Sequence, residues 1–300
     1  MNDRKCGLSL VAGTVLAALA ISTAMTSAAR PAIGAPPKGP SYTIIKLHDA
    51  NGAYAEVLAL GINNSGQIVG QVRNGDINRA AYWELTTSGG TIQSTLRFLS
   101  GGITAPGIND SGEIVGGGYD GNGHEIGMYW SEPDADPLML PALPGHDASF
   151  AQAINSDGVI CGLSKIDGGL PDTYRAVAWR VGIVDGNSAV WGPIALPDAE
   201  TGSVATSIND NDANGIADVA GRFGEAEAAV AWSVQSLPDG SLAVASGVAV
   251  LDLDAEARGI SNFGAVCGSE SPPEEALVWT GSSRRVLNRA RYVDYAGDLG

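Results

Sequence analysis

The sequence predicts an all-β fold, a β-propeller of five four-stranded blades. Three observations carry this expectation: a phrase that occurs five times, a tryptophan that recurs in step with it, and an interval long enough for four strands. The phrase reads "GINNSGQIVG" at 61–70 and "GINDSGEIVG" at 107–116. It returns as "AINSDGVICG" at 153–162, "SINDNDANGIADVAG" at 207–221 and "GISNFGAVCG" at 259–268. A phrase repeated at a fixed period is architecture before it is chemistry, because one reaction needs one constellation. The copies start 46 to 54 residues apart, the length of a propeller blade, whereas one coil of a β-helix takes roughly half that.

Within each unit the first strand ends in "GI" or its equivalent and meets the second, "QIVG", through a tight turn such as "NNSG" or "NDSG". Asn and Asp tolerate turn geometry and Gly supplies a positive φ. Turn chemistry therefore accounts for Asn63, Asn109, Asn155 and Asn209; Asn63-Asn64-Ser65 also fits the glycosylation pattern. The third strand ends in tryptophan: "AAYWE", "GMYWS", "AVAWR", "AVAWS" and "ALVWT" hold Trp83, Trp130, Trp179, Trp232 and Trp279, and only Trp191 lies outside the series. In "AAYW", Ala80 and Tyr82 point one way while Ala81 and Trp83 point the other. Both faces are apolar, as in a sheet held between neighbours and unlike a two-layer sandwich with one wet face. The fourth strands are "LRFLS", "LMLPALP", "PIALPD", "VAVLDLD" and "RRVLN". Near the start, "YTIIKLHDA" resembles a lone fourth strand. It closes the ring if it pairs with the last repeat, unless "RRVLN" already holds that place; an incomplete sixth blade is the alternative to five.

The pattern of "GIN", a Ser/Asp-Gly turn, "IVG" and a "YW" or "AW" strand resembles the HAF repeats of bacterial secreted proteins, over roughly residues 42–290. The "HAF" tripeptide itself is replaced by "AAYW" or "AVAW", and the fifth copy has Ser261 where the others have Asn. The resemblance implies an extracellular, propeller-like repeat protein and no particular activity.

Residues 1–29 read as an export signal. Arg4 and Lys5 precede the apolar run "LSLVAGTVLAALAISTAM", and "TSAA" offers small residues for cleavage. The alternative is an uncleaved membrane anchor, since the run approaches the roughly 20 residues that span a bilayer. A Pro/Gly-rich linker at 30–40 then leads into a single repeat domain at 41–300. Cleavage after Ala29 leaves 15 Lys and Arg against 32 Asp and Glu, a formal charge of −17. So acidic a chain argues against nucleic acid or anionic membrane as partner and suits cations, basic partners or neutral glycans. Cys161 and Cys267 share one repeat position with Val69 and Val115, so they read as small buried hydrophobes rather than a disulfide.

The fourth repeat inserts "DNDANGIAD" into its first hairpin, matching the start of a calcium loop. Asp210, Asp212 and Asn214 would offer side-chain oxygens, Ile216 its carbonyl and Asp218 a further carboxylate. Gly221 stands where an EF-hand has its bidentate Glu, so the loop resembles the FG-GAP calcium hairpins of other propellers more closely; an Asp/Asn-rich turn that binds nothing is the plain alternative. A second candidate is the face bearing the connections between blades and between second and third strands. It carries His48, Asp49, His146 and Asp147, with Asp120, His124, Asp198, Glu200, Asp254 and Glu256. Strand ends are rich in Asp in any case. The chain has no G-x-S-x-G elbow, H-E-x-x-H, phosphate loop or CxxC pair. The expectation is a secreted or periplasmic, monomeric, non-catalytic module for an extracellular protein or glycan. The competing reading is a carbohydrate-active enzyme with acids at the channel mouth.

Overall fold

The computed structural model describes residues 54–287 apart from 90, 171–172, 198–201, 225–227, 271–274 and 282, together with 45 and 47. The leader and linker expected at 1–29 and 30–40 lie outside the described residues. Blade 1 comprises β1 (Glu56–Ile62), β2 (Gln67–Asn74), β3 (Ile77–Ser88) and β4 (Thr91–Phe98). Blade 2 comprises β5 (Gly102–Ile108), β6 (Ile114–Tyr119), β7 (Glu125–Trp130) and β8 (Leu138–Leu140). Blade 3 holds β9 (Ala148–Ile154), β10 (Val159–Lys165), β11 (Arg175–Val184) and β12 (Asn187–Ala195). Blade 4 holds β13 (Val204–Ile208), β14 (Ile216–Phe223), β15 (Ala228–Ser236) and β16 (Leu242–Asp252). Blade 5 is β17 (Ala255–Ile260), β18 (Ala265–Glu270), β19 (Glu275–Thr280) and β20 (Ser283–Leu287). Each blade is an antiparallel meander in chain order, and the five form a β-propeller. Residues 284–287 of the "RRVLN" segment belong to β20, so the last blade draws all four strands from its own repeat.

First strands of consecutive blades touch one another from β1 through β17 and so line the axis. Each carries a bulge against its second strand, at Ala59/Gly61 in blade 1 and Ala205/Ser207 in blade 4, for example. The bulge explains the closing glycine of the repeated phrase. A Cβ on Gly70, Gly116, Gly162, Gly221 or Gly268 would overlap a first-strand carbonyl, that of Leu58, Thr104, Phe150, Val204 or Glu256. The turn glycines, by contrast, are needed for conformation: Gly66, Gly112 and Gly158 have φ of 77°, 86° and 74°.

The core lies between blades. Ile114 and Trp130 of blade 2 pack on Val69, Ala80 and Tyr82 of blade 1. Ile160 and Trp179 pack on Val115 and Tyr129, and Val219 and Trp232 on Cys161 and Ala178. Val266 and Trp279 close on Ala220 and Ala229. Every one of these seams also receives a leucine from the end of the preceding blade: Leu99, Leu140, Leu196 and Leu251 in turn. At blade 1, Trp83 is covered by Leu47 and Tyr54 from the segment ahead of β1, so Leu47 occupies the place those leucines hold elsewhere. Among the described residues no such cluster joins blade 5 to blade 1. Ile62 is accordingly 65% exposed, while its counterparts Ile154, Ile208 and Ile260 are 7%, 8% and 6%. Neither Cys161 nor Cys267 forms a disulfide; Cys161 is fully buried, which pushes its thiol up to about 12.

Candidate functional site

The repeated turns form a collar at one end of the blades. Asn63 Oδ1 accepts hydrogen bonds from the Ser65 and Gln67 amides at 3.1 and 3.0 Å, the geometry of an Asn-headed turn. Its amide nitrogen donates across the seam to the Asn109 carbonyl at 3.0 Å. Asn109 does the same to Asn155, and Asn155 to Asn209, each at 3.0 Å. One side chain thus shapes its own hairpin and ties it to the next blade. Asn63, Asn109, Asn155 and Asn209 are all buried, so the glycosylation pattern at Asn63 falls on a side chain already engaged at both ends.

The fourth hairpin uses its extra residues within the same collar. Asp212 takes over as turn head, its Oδ1 accepting the Asn214 and Ile216 amides at 2.8 and 2.9 Å and its Oδ2 the Asn214 side chain. These bonds, that from Ile216 foremost, hold the Asp212 carboxyl below its usual range. Asp210 reaches sideways instead: Oδ1 accepts from Ser156 of blade 3, and Oδ2 from the Asn262 amide of blade 5 at 2.6 Å. Asp218 Oδ1 accepts from Ser233 Oγ at 2.7 Å, and the Ile216 carbonyl from the Asp212 amide at 2.7 Å. Of the oxygens expected to surround calcium, those of Asp212 and the Ile216 carbonyl are therefore bonded within the turn, and those of Asp210 and Asp218 outside it. Among the described residues no group of three or more His, Cys, Asp or Glu is gathered to hold a metal ion. In this arrangement the loop's spacing serves a turn and two blade-to-blade ties.

The second candidate face lies at the opposite end of the strands. His48 and Asp49 are outside the described residues, as are Asp198 and Glu200. His146 Nδ1 lies 2.9 Å from Ser164 Oγ, and Asp147 Oδ1 accepts the Asp167 amide at 2.6 Å. Although adjacent in sequence, the two side chains are committed to different partners. Asp120 heads a turn of its own, accepting the His124 and Asn122 amides, which lower its pKa. Glu256 pairs with Arg222 at 3.3 Å and Arg258 at 2.6 Å. Lys165 meets Glu125 at 2.5 Å across the seam between blades 2 and 3. Burial alone would depress the Lys165 ammonium, but the hydrogen bond and charge of Glu125 outweigh it and hold the pKa above its usual value.

Sequence reasoning missed the seams as places of chemistry. Tyr82 accepts a hydrogen bond from Gln67 at 2.9 Å, and Tyr129 donates one to Glu113 at 2.6 Å, each from a ring packed beside the next blade's tryptophan. Burial, reinforced by Glu113, raises the Tyr129 phenol far above its ordinary value. The tryptophans donate to the preceding connection: Trp130 to the Ser100 carbonyl, Trp179 to Pro141 and Trp232 to Pro197, at 3.0, 2.9 and 3.0 Å. Among known proteins no family model matches the chain, and no curated protein matches it.

Proposed function

We propose that the chain is an exported, non-catalytic binding or scaffold module that holds an extracellular protein or glycan with loops at one end of its propeller. The observation that carries this reading is the dispersal of the titratable side chains on that face. His146 is turned to Ser164 and Asp147 to the Asp167 backbone, while Glu256 is held between two arginines. An enzyme of acid–base type needs two such groups converging on one pocket, with pKa values pushed apart. A binding face works with scattered polar groups on a rigid frame. The signal-like segment 1–29 and the resemblance to secreted repeat proteins support an extracellular or periplasmic setting, and the acidic charge supports basic or neutral partners.

The test is a glycan array and a pull-down against extracellular protein, run beside a polysaccharide hydrolysis screen on the same preparation. Saturable binding without turnover is the expected result. Turnover of any polysaccharide, abolished by Asp147→Asn, would overturn the proposal in favour of a carbohydrate-active enzyme.

A further inference from the structure

Four seams are built on one plan, and the seam between blades 4 and 5 departs from it in the side chain that fills the others. In each seam the side chain that fills the space beside the next blade's tryptophan comes from the third strand or from its partner on the fourth. The pairs in register are Tyr82 with Arg97, Tyr129 with Leu138, Ala178 with Ile194, and Ala231 with Ala249. Tyrosine fills the first two seams, and Ile194 packs into the third. In the last, both positions are alanine. A cavity of about 290 Å³ lies there, walled by Leu251, Val266 and Trp279 together with the two alanines, and Asp218 also lines it. Its volume sits at the lower end of small-molecule sites, about 300–1,000 Å³.

The polar groups follow the same template. Asp218 occupies the position of Glu113, one residue before the second-strand residue paired with the tryptophan: Ile114 pairs with Trp130, and Val219 with Trp232. Glu113 accepts the Tyr129 hydroxyl; Asp218 has no tyrosine to accept. Among the described residues its carboxylate is engaged only through Oδ1, by Ser233. Among the described residues the buried Trp279 indole N–H has no hydrogen-bond partner, as is also true of Trp83, whereas those of Trp130, Trp179 and Trp232 each have one.

We propose that the cleft between blades 4 and 5 is a binding site for a phenolic ring. The ring takes the place that Tyr129 fills between blades 2 and 3, stacking beside Trp279, and its hydroxyl donates to Asp218. The site goes beyond the face discussed above, lies nearer the collar of turns, and stands or falls independently of it. The phenol is either a free small molecule or a tyrosine side chain presented by a peptide.

The test uses the full-length exported protein, with tryptophan fluorescence and calorimetry as readouts and 4-methylphenol, toluene and a short capped Tyr-containing peptide as probes. Saturable binding of 4-methylphenol is expected, about tenfold or more tighter than toluene, as a hydrogen bond to a carboxylate implies. Asp218→Asn should erase most of that preference. Ala231→Tyr, or Ala249→Ile copying Ile194, should abolish binding while leaving the protein folded. Binding of both phenols assigns the site to tyrosine presented by a partner, and binding of 4-methylphenol alone assigns it to a free phenol. Absence of saturation with either phenol, equal affinity for toluene, or full binding in folded Ala231→Tyr and Ala249→Ile would each overturn the proposal.

Discussion

The seam between blades 2 and 3 and the seam between blades 4 and 5 start from the same phrase and end differently. At the first, Asn109 bridges to the Asn155 carbonyl, Trp179 donates to Pro141, and the Tyr129 ring fills the space between with its hydroxyl on Glu113. At the second, among the described residues, no equivalent bond from Asn209 to Ser261 is found and the Trp279 indole N–H has no partner, and Ala231 and Ala249 leave a cavity. The hairpins are tied there by Asp210 and Asn262, through exposed side chains. The difference teaches where to look in a repeat protein. Residues that recur serve the scaffold, and space opens where a recurring side chain is withdrawn.

The strongest way to break the shared scaffold is Gly162→Ala. The new methyl would overlap the Phe150 carbonyl at the bulge, and the expected cost is about 3 kcal/mol or more, read by chemical denaturation. Gly268→Ala should cost as much, since its overlap with Glu256 is of the same kind. A loss under about 1 kcal/mol at both sites would show that the bulge is free to rearrange.

Next come the turn heads. Asn109→Ala removes two hydrogen bonds to its own hairpin amides, one to Glu113 and one across the seam, with an expected cost of about 2–3 kcal/mol. Ser261→Ala removes one bond, to the Ala265 amide at 3.2 Å, and should cost less than about 1 kcal/mol. Equal effects would erase the distinction between the two seams.

Tyr129 gives the comparison a pH signature. Its pKa is raised above the ordinary value of 10.0, by burial first and by Glu113 second. The folded state therefore favours the protonated phenol. That contribution is fully present below pH 10 and is lost as the pH climbs above it, where ionisation favours unfolding. Ultraviolet titration should leave Tyr129 un-ionised beyond the main transition, and Tyr129→Phe should remove that component while flattening the alkaline fall in stability. A Tyr129 that titrates with the exposed tyrosines would contradict the buried Tyr129–Glu113 pair.

The smallest effect is expected from calcium. With the oxygens of Asp210, Asp212 and Asp218 directed to separate partners, calcium and chelator should leave the thermal midpoint within about 1 °C of each other, because only a ligand that binds the native state shifts it. A rise of several degrees with calcium would restore the loop to the role its spacing suggests.

Much of the scaffold was legible in the residues alone. The five phrases and their tryptophans give the blade count, and the positive φ at Gly66, Gly112 and Gly158 is what an Asn-x-x-Gly turn demands. The closing glycine was legible as a recurrence but not as a necessity, because the carbonyl that forbids a side chain there comes from another strand at a bulge. The hairpin at 210–218 reads two ways for a physical reason: Asp-x-Asn-Gly is suited both to a metal and to its own backbone amides, and spacing alone does not choose between them. The cavity was hidden more deeply. Pairing Ala231 with Ala249 depends on a strand pair with three register shifts, which spacing cannot supply.

Thermal unfolding of Ala231→Tyr tests the central claim most directly, that this seam is the common seam with its filling side chain withdrawn. A tyrosine placed there should occupy the cavity, reach Asp218 and raise the midpoint by about 2–4 °C, as cavity filling does in a protein of this size. A fall in the midpoint would contradict the account, because it would mean that the space between blades 4 and 5 is already closed.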